Sequence, residues 1–106
     1  MKPSTTPDPV TREQFERVRA LFEGVRRRTR PRKHDLYDVF NAVVYFLNSG
    51  IAWRALPAQF PPWRTVHEYF TQWSAAAPHQ RSVLETALHE LELKQAAERL
   101  RVLMQR

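Results

Sequence analysis

The chain has 106 residues, 42% of them hydrophobic, with three Trp, three Tyr and six Phe, which suits one domain with an aromatic core and is too little for two of ordinary size. Two glycines, eight prolines and no cysteine exclude a disulfide scaffold and a thiolate zinc site, and argue against a barrel or sandwich with many tight turns. The net charge of +6 is uneven: residues 1–34 hold ten Lys/Arg against four Asp/Glu, while residues 35–106 hold seven of each.

Residues 1–10 read as a flexible tail, rich in proline and threonine and without the apolar run of a signal peptide. The longest apolar run, Ala42 to Leu47, is six residues, far below the ~20 of a membrane span, so a cytoplasmic protein without membrane contact is expected. A single helical domain is expected over 11–106. Thr11 and Gln14 form a T-x-x-Q capping box, with Val10 and Phe15 placed as its hydrophobic staple. Phe15, Val18, Leu21, Phe22 and Val25 fall on one stripe, which predicts one helix over 11–25 with Gly24 as terminator. A basic connector follows over 26–34. Arg26, Arg27, Arg28, Arg30, Arg32 and Lys33 put six cations in eight residues with no acid between them. Such a run is either an arm that neutralises phosphates or a solvated linker.

Asp35 is placed to cap a second helix over 36–48, with Asp38 adding negative charge to its first turn. Leu36, Val39, Phe40, Val43, Val44 and Leu47 keep strict helical spacing, and Asn48-Ser49-Gly50 stops the pattern. A short helix over 52–56 ends at Pro57, and Phe60-Pro61-Pro62 makes a stiff connection. A helix over 63–76 turns Val66, Tyr69, Phe70 and Trp73 inward. Pro78 is read as opening a long C-terminal helix over 78–105 with two stripes. Val83, Leu84, Ala87, Leu88 and Leu91 form one; Leu93, Ala97, Leu100 and Met104 form a second, rotated one. The rotation either bends with the core or frees a stripe for a partner chain, a second copy included. No strand pattern or fixed repeat occurs. The expected fold is all-α: a small domain of four to five helices containing a helix-turn-helix, with a long C-terminal helix.

Residues 35–76 carry the helix-turn-helix pattern, whose second helix lies in the DNA major groove when the motif binds DNA. The outward side of 63–76 carries Arg64, Glu68, Thr71 and Ala75, flanked by Thr65, His67 and Gln72. Arginine can bond the O6 and N7 of guanine, glutamate can accept from the cytosine amino group, and threonine can meet a thymine methyl. An amphipathic helix with a merely wet face has the same pattern. Arg54 either clamps a phosphate or bonds carbonyls of the 57–62 turn. Trp53, Trp63 and Trp73 sit on apolar faces and read as core, their indole N–H groups bonding loop carbonyls. His34, His67, His79 and His89 are too scattered for a metal site, and no nucleophile elbow or triad spacing occurs, so no cofactor is expected.

Arg30 to Pro57, with G-x-x-W-R-x-L-P over 50–57, and Phe60 to Trp73, with P-P-W over 61–63, closely resemble the N-terminal domain of bacterial insertion-sequence transposases of the insertion-sequence-five group. The three tryptophans keep their spacing. The resemblance implies a helical domain that binds double-stranded DNA at the inverted ends of a mobile element. In that family a ribonuclease-H-like domain follows, whose Asp-Asp-Glu triad holds metal ions for strand cleavage. Here the aspartates are Asp8, Asp35 and Asp38, so no triad can be assembled, no catalysis by this chain alone is expected, and a catalytic chain becomes a possible partner. After Trp73 the resemblance fades, at Ser74-Ala-Ala-Ala-Pro-His. A first reading frame of a split element, a fragment, and a stand-alone regulator built from a transposase head all fit.

Overall fold

The computed structural model describes residues 9–24 and 34–104. Most of the proposed tail and the basic run Arg26–Lys33 lie outside the described residues. Thr11 caps α1 (Arg12–Glu16): its hydroxyl accepts the Gln14 N–H at 3.1 Å, and Gln14 Oε1 accepts the Thr11 N–H at 2.9 Å. Both staple residues, Val10 and Phe15, are fully buried.

The single helix expected over 11–25 is instead two, α1 and α2 (Arg19–Glu23). The N–H groups of Arg17, Val18 and Leu21 bond carbonyls three residues back, tightening the chain between the pieces. A continuous helix would set residues seven apart about 10 Å from each other along its axis. The tightened turn lets Phe22 stack on Phe15 with ring centroids 5.9 Å apart.

The centre is α3 (Leu36–Ser49), which packs against α1 and α2 on one side and two later helices on others. Between Leu36 and Leu47 only Asp38 is exposed and Tyr45 half-buried, so the helix is surrounded rather than lying on a surface. Its polar groups hold the segment that leads into α1: Asn41 Oδ1 accepts the Val10 N–H at 3.0 Å, and the Tyr37 hydroxyl donates to the Val10 carbonyl at 2.6 Å. Asp35 caps α3 by accepting the Tyr37 N–H at 3.0 Å and pairs with Arg12 at 3.3 Å. The Tyr37 N–H first, and Arg12 with it, hold the Asp35 carboxyl below the ordinary carboxylate range. Gly50 ends α3 at φ 74°, donating its N–H to the Phe46 carbonyl. A Cβ there would meet nothing within 4 Å, so the requirement for glycine is conformational, not spatial.

A 3-10 turn (Trp53–Ala55) takes the place of the short helix, and α4 (Trp63–Ser74) follows with Pro62 at its N-cap. The long helix expected over 78–105 is two, α5 (Val83–Glu90) and α6 (Lys94–Met104). Pro78 starts no helix. It is the second residue of a turn closed by the Gln80 N–H on the Ala77 carbonyl, with His79 at φ 67°. Ser82 caps α5 by accepting the Glu85 N–H at 3.0 Å. At the other end Glu92 adopts φ 58°, its N–H bonds the His89 carbonyl, and the Leu93 N–H bonds the Leu88 carbonyl. That pair of bonds is a Schellman cap, with glutamate where glycine is usual. The chain reverses, and most of both stripes reaches one core: Leu84, Leu88, Leu91 and Leu100 are buried, and Val83, Leu93 and Ala97 pack against them half-buried. Met104, the last residue of the rotated stripe, stays exposed. Among the described residues, the exposed large apolar side chains are Val102, Leu103 and Met104, in the last turn of α6. No described helix is long and apolar enough to cross a membrane.

Candidate nucleic-acid interface

The orientation of α4 is set by rings. Trp53 stacks on Phe46 of α3 at 3.6 Å and 9°, and meets Phe70 and His67 of α4 edge-on at 5.2 and 5.3 Å. The 3-10 turn is thus a wedge between α3 and α4. At the far end of α4, Trp73 is fully buried, 4.3 Å from the Phe22 ring and 5.3 Å from Tyr69. With Val66 buried and Tyr69 and Phe70 half-buried between these anchors, the inward face is the one expected from the periodicity. One detail differs. The Trp73 indole N–H finds no acceptor among the described residues, although its sequence position suggests a loop carbonyl for it.

With the inner face so occupied, the outer face is open. Arg64, His67, Glu68, Thr71 and Gln72 are exposed and Thr65 is half-buried. Thr71 donates its hydroxyl proton to the His67 carbonyl at 3.0 Å and remains exposed to solvent. Arg54, also exposed, makes no hydrogen bond to the 57–62 carbonyls; its guanidinium lies 5.7 Å from the centroid of Trp63. The Arg64 guanidinium lies 5.2 Å from the same ring. Among the described residues, neither arginine has a carboxylate within ion-pair distance. Arg12, Arg19, Arg81 and Arg101 each have one.

The described residues hold nine Lys/Arg against ten Asp/Glu, so the positive excess of the chain comes from the segments outside them. Among the described residues Arg17 and Arg99 also lack an ion pair, but Arg54 and Arg64 lie together over one ring and make a local positive feature at the start of α4. No group of three or more metal-ligating side chains occurs among the described residues. Asp35, one of the three aspartates, is used as a helix cap.

Residues 10–83 match a family model described as "Putative transposase of IS4/5 family". The chain belongs to this family. No curated protein and no solved structure matches it.

The matched span of this transposase-family domain begins at Val10, clamped by Asn41 and Tyr37, and ends at Val83, the first residue of α5. The exposed face of α4 and the Trp53 wedge lie inside the span; the rest of the α5–α6 hairpin lies beyond it. Sequence reasoning placed Arg54, Arg64, Thr65, His67, Glu68 and Thr71 on or beside one helix; in the structure Arg64, His67, Glu68 and Thr71 are exposed on α4, Thr65 is half-buried there, and Arg54 is exposed on the 3-10 turn before it. It missed Trp63 as a surface partner of two arginines, because spacing on an apolar face signals burial and says nothing of what stacks on the ring. It also missed the Ser82-x-x-Glu85 box, a capping signature present in the sequence that marks the true start of α5.

Proposed function

We propose that this transposase-family domain binds double-stranded DNA in the cytoplasm and recognises the inverted ends of an insertion element. In this reading α3 and α4 act as the helix-turn-helix. The outer face of α4 enters the major groove, where Arg64, Glu68 and Thr71 meet base edges and Thr65 and His67 lie beside them. Arg54 and the arm Arg26, Arg27, Arg28, Arg30, Arg32 and Lys33 contact phosphates. One observation carries the reading: two exposed arginines that lie together over Trp63 without a carboxylate partner, at the N-terminal end of a helix whose inner face is locked by aromatic packing. The chain itself would not cleave DNA. An Asp-Asp-Glu catalytic chain would act as its partner, or the domain would compete with full-length transposase for the element ends.

Fluorescence anisotropy tests this with a duplex that the chain selects from a randomised pool and a scrambled duplex of equal length. Arg64→Ala is expected to cost about 1–3 kcal/mol and relax one base position. Replacing arm arginines by glutamine should lower the slope of log K against log salt by about 0.9 for each phosphate no longer neutralised. Equal affinity for both duplexes at every salt concentration would remove the specificity claim.

A second, compatible reading rests on the exposed Val102, Leu103 and Met104: self-association through the tip of α6, which would pair two domains on paired half-sites. Light scattering of the chain and of a Val102→Glu/Met104→Glu variant checks it. A monomer in both cases ends the idea.

A further inference from the structure

Two guanidiniums share one ring. Arg54 comes from the 3-10 turn and Arg64 from α4, yet both stack over Trp63, within about 11 Å of each other. Like charges brought together need compensation, and no carboxylate supplies it among the described residues; the negative face of the indole does. That ring is braced. His67 meets it edge-on at 6.5 Å and meets Trp53 edge-on at 5.3 Å, and Trp53 stacks on Phe46. A continuous line of rings runs from the α3 core to the two surface cations. An exposed arginine ordered on binding loses rotamer freedom, a loss that prior stacking reduces.

We propose that Trp63 is a positioning residue that couples base reading to backbone contact, holding Arg64 toward the groove floor and Arg54 toward the adjoining phosphate. The assignment of roles follows from position: Arg64 lies on the groove-entering helix, whereas Arg54 lies on the turn beside it, where the DNA backbone passes. The proposal rests on the DNA-binding reading above and adds a residue that reading does not use.

The test uses the full chain, its selected duplex and the scrambled one. Trp63→Leu removes no charge, yet it is expected to reduce discrimination between the duplexes by about 5- to 150-fold, matching Arg64→Ala. The double variant should lose no more than either single one, and Trp63→Phe, which keeps a ring face, should retain most of the discrimination. Arg54→Gln should weaken both duplexes, the selected one more than the scrambled one, and lower the salt slope by about 0.9. Because Arg54 and Arg64 are both exposed, a cycle of Arg54→Gln and Arg64→Ala avoids any folding defect of the Trp63 variants. Measurable coupling, as expected of two side chains that share a partner, supports the proposal, and strict additivity overturns it. Unchanged discrimination in a folded Trp63→Leu variant also overturns it while leaving DNA binding intact. A wild-type chain that prefers no duplex overturns the underlying reading instead.

Discussion

The stretch from α1 to α4 and the α5–α6 hairpin bury their surfaces with different chemistry. All the Phe, Tyr and Trp residues lie at or before Trp73, and their rings meet at defined angles across α1, α2, α3, the 3-10 turn and α4. The hairpin contributes leucine and alanine, which fill space without a preferred interplanar angle. Directional contacts suit a segment whose task is to hold α4 in one orientation. Aliphatic packing suits one that closes the core from outside. The boundary between the two chemistries lies close to the end of the family match at residue 83.

Trp73→Ala should show the largest effect and bear on this contrast most directly. It removes a fully buried indole that ties α4 to Phe22, and the expected cost of about 3–5 kcal/mol, read from denaturant midpoints, would leave little folded protein. Leu100→Ala asks whether the hairpin is a true part of the core. About 2–3 kcal/mol is expected, since Leu100 is 2% exposed but lies near a helix end that can partly collapse. A loss below about 0.5 kcal/mol would make the hairpin an appendage. Glu92→Gly should act in the opposite direction, stabilising by about 0.5–1 kcal/mol. It relieves a left-handed backbone at φ 58° and removes an acid from the negative end of α5, against the greater freedom of unfolded glycine.

The smallest effect concerns the α1–α3 clamp and appears only in acid. The Asp35 carboxyl has its folded pKa lowered by the Tyr37 N–H and Arg12. Its stabilisation is therefore complete above the unfolded value of about 3.9 and is lost as pH falls through the lower folded value. Asp35→Asn, which can still cap α3, should barely alter melting near neutrality and should flatten the decline on the acid side. An unaltered acid limb would mean that the clamp contributes nothing.

Much of the N-terminal architecture was legible because local rules and tertiary demands agree there. The Thr11–Gln14 box, the Asp35 cap, the Leu36–Leu47 periodicity and the Gly50 stop each form as their residue types suggest. The outward face of α4 was legible for the same reason. The misses fall where a turn uses an unexpected residue. Glu92 closes a cap that normally takes glycine, so the two leucine stripes read as one rotated helix. The helix breaks at Val18, which stays buried on its stripe, and the break lets Phe22 stack on Phe15.

Composition and periodicity by themselves determined an all-helical chain, its central apolar helix and the polar side of α4, since these depend on contacts between residues close in sequence. Tertiary structure alone decided that the last helix folds back, that Trp53 wedges α3 from α4, and that Arg54 and Arg64 meet over one indole. Those outcomes depend on surfaces far apart in the chain competing for the same space, and no local pattern records which of them wins.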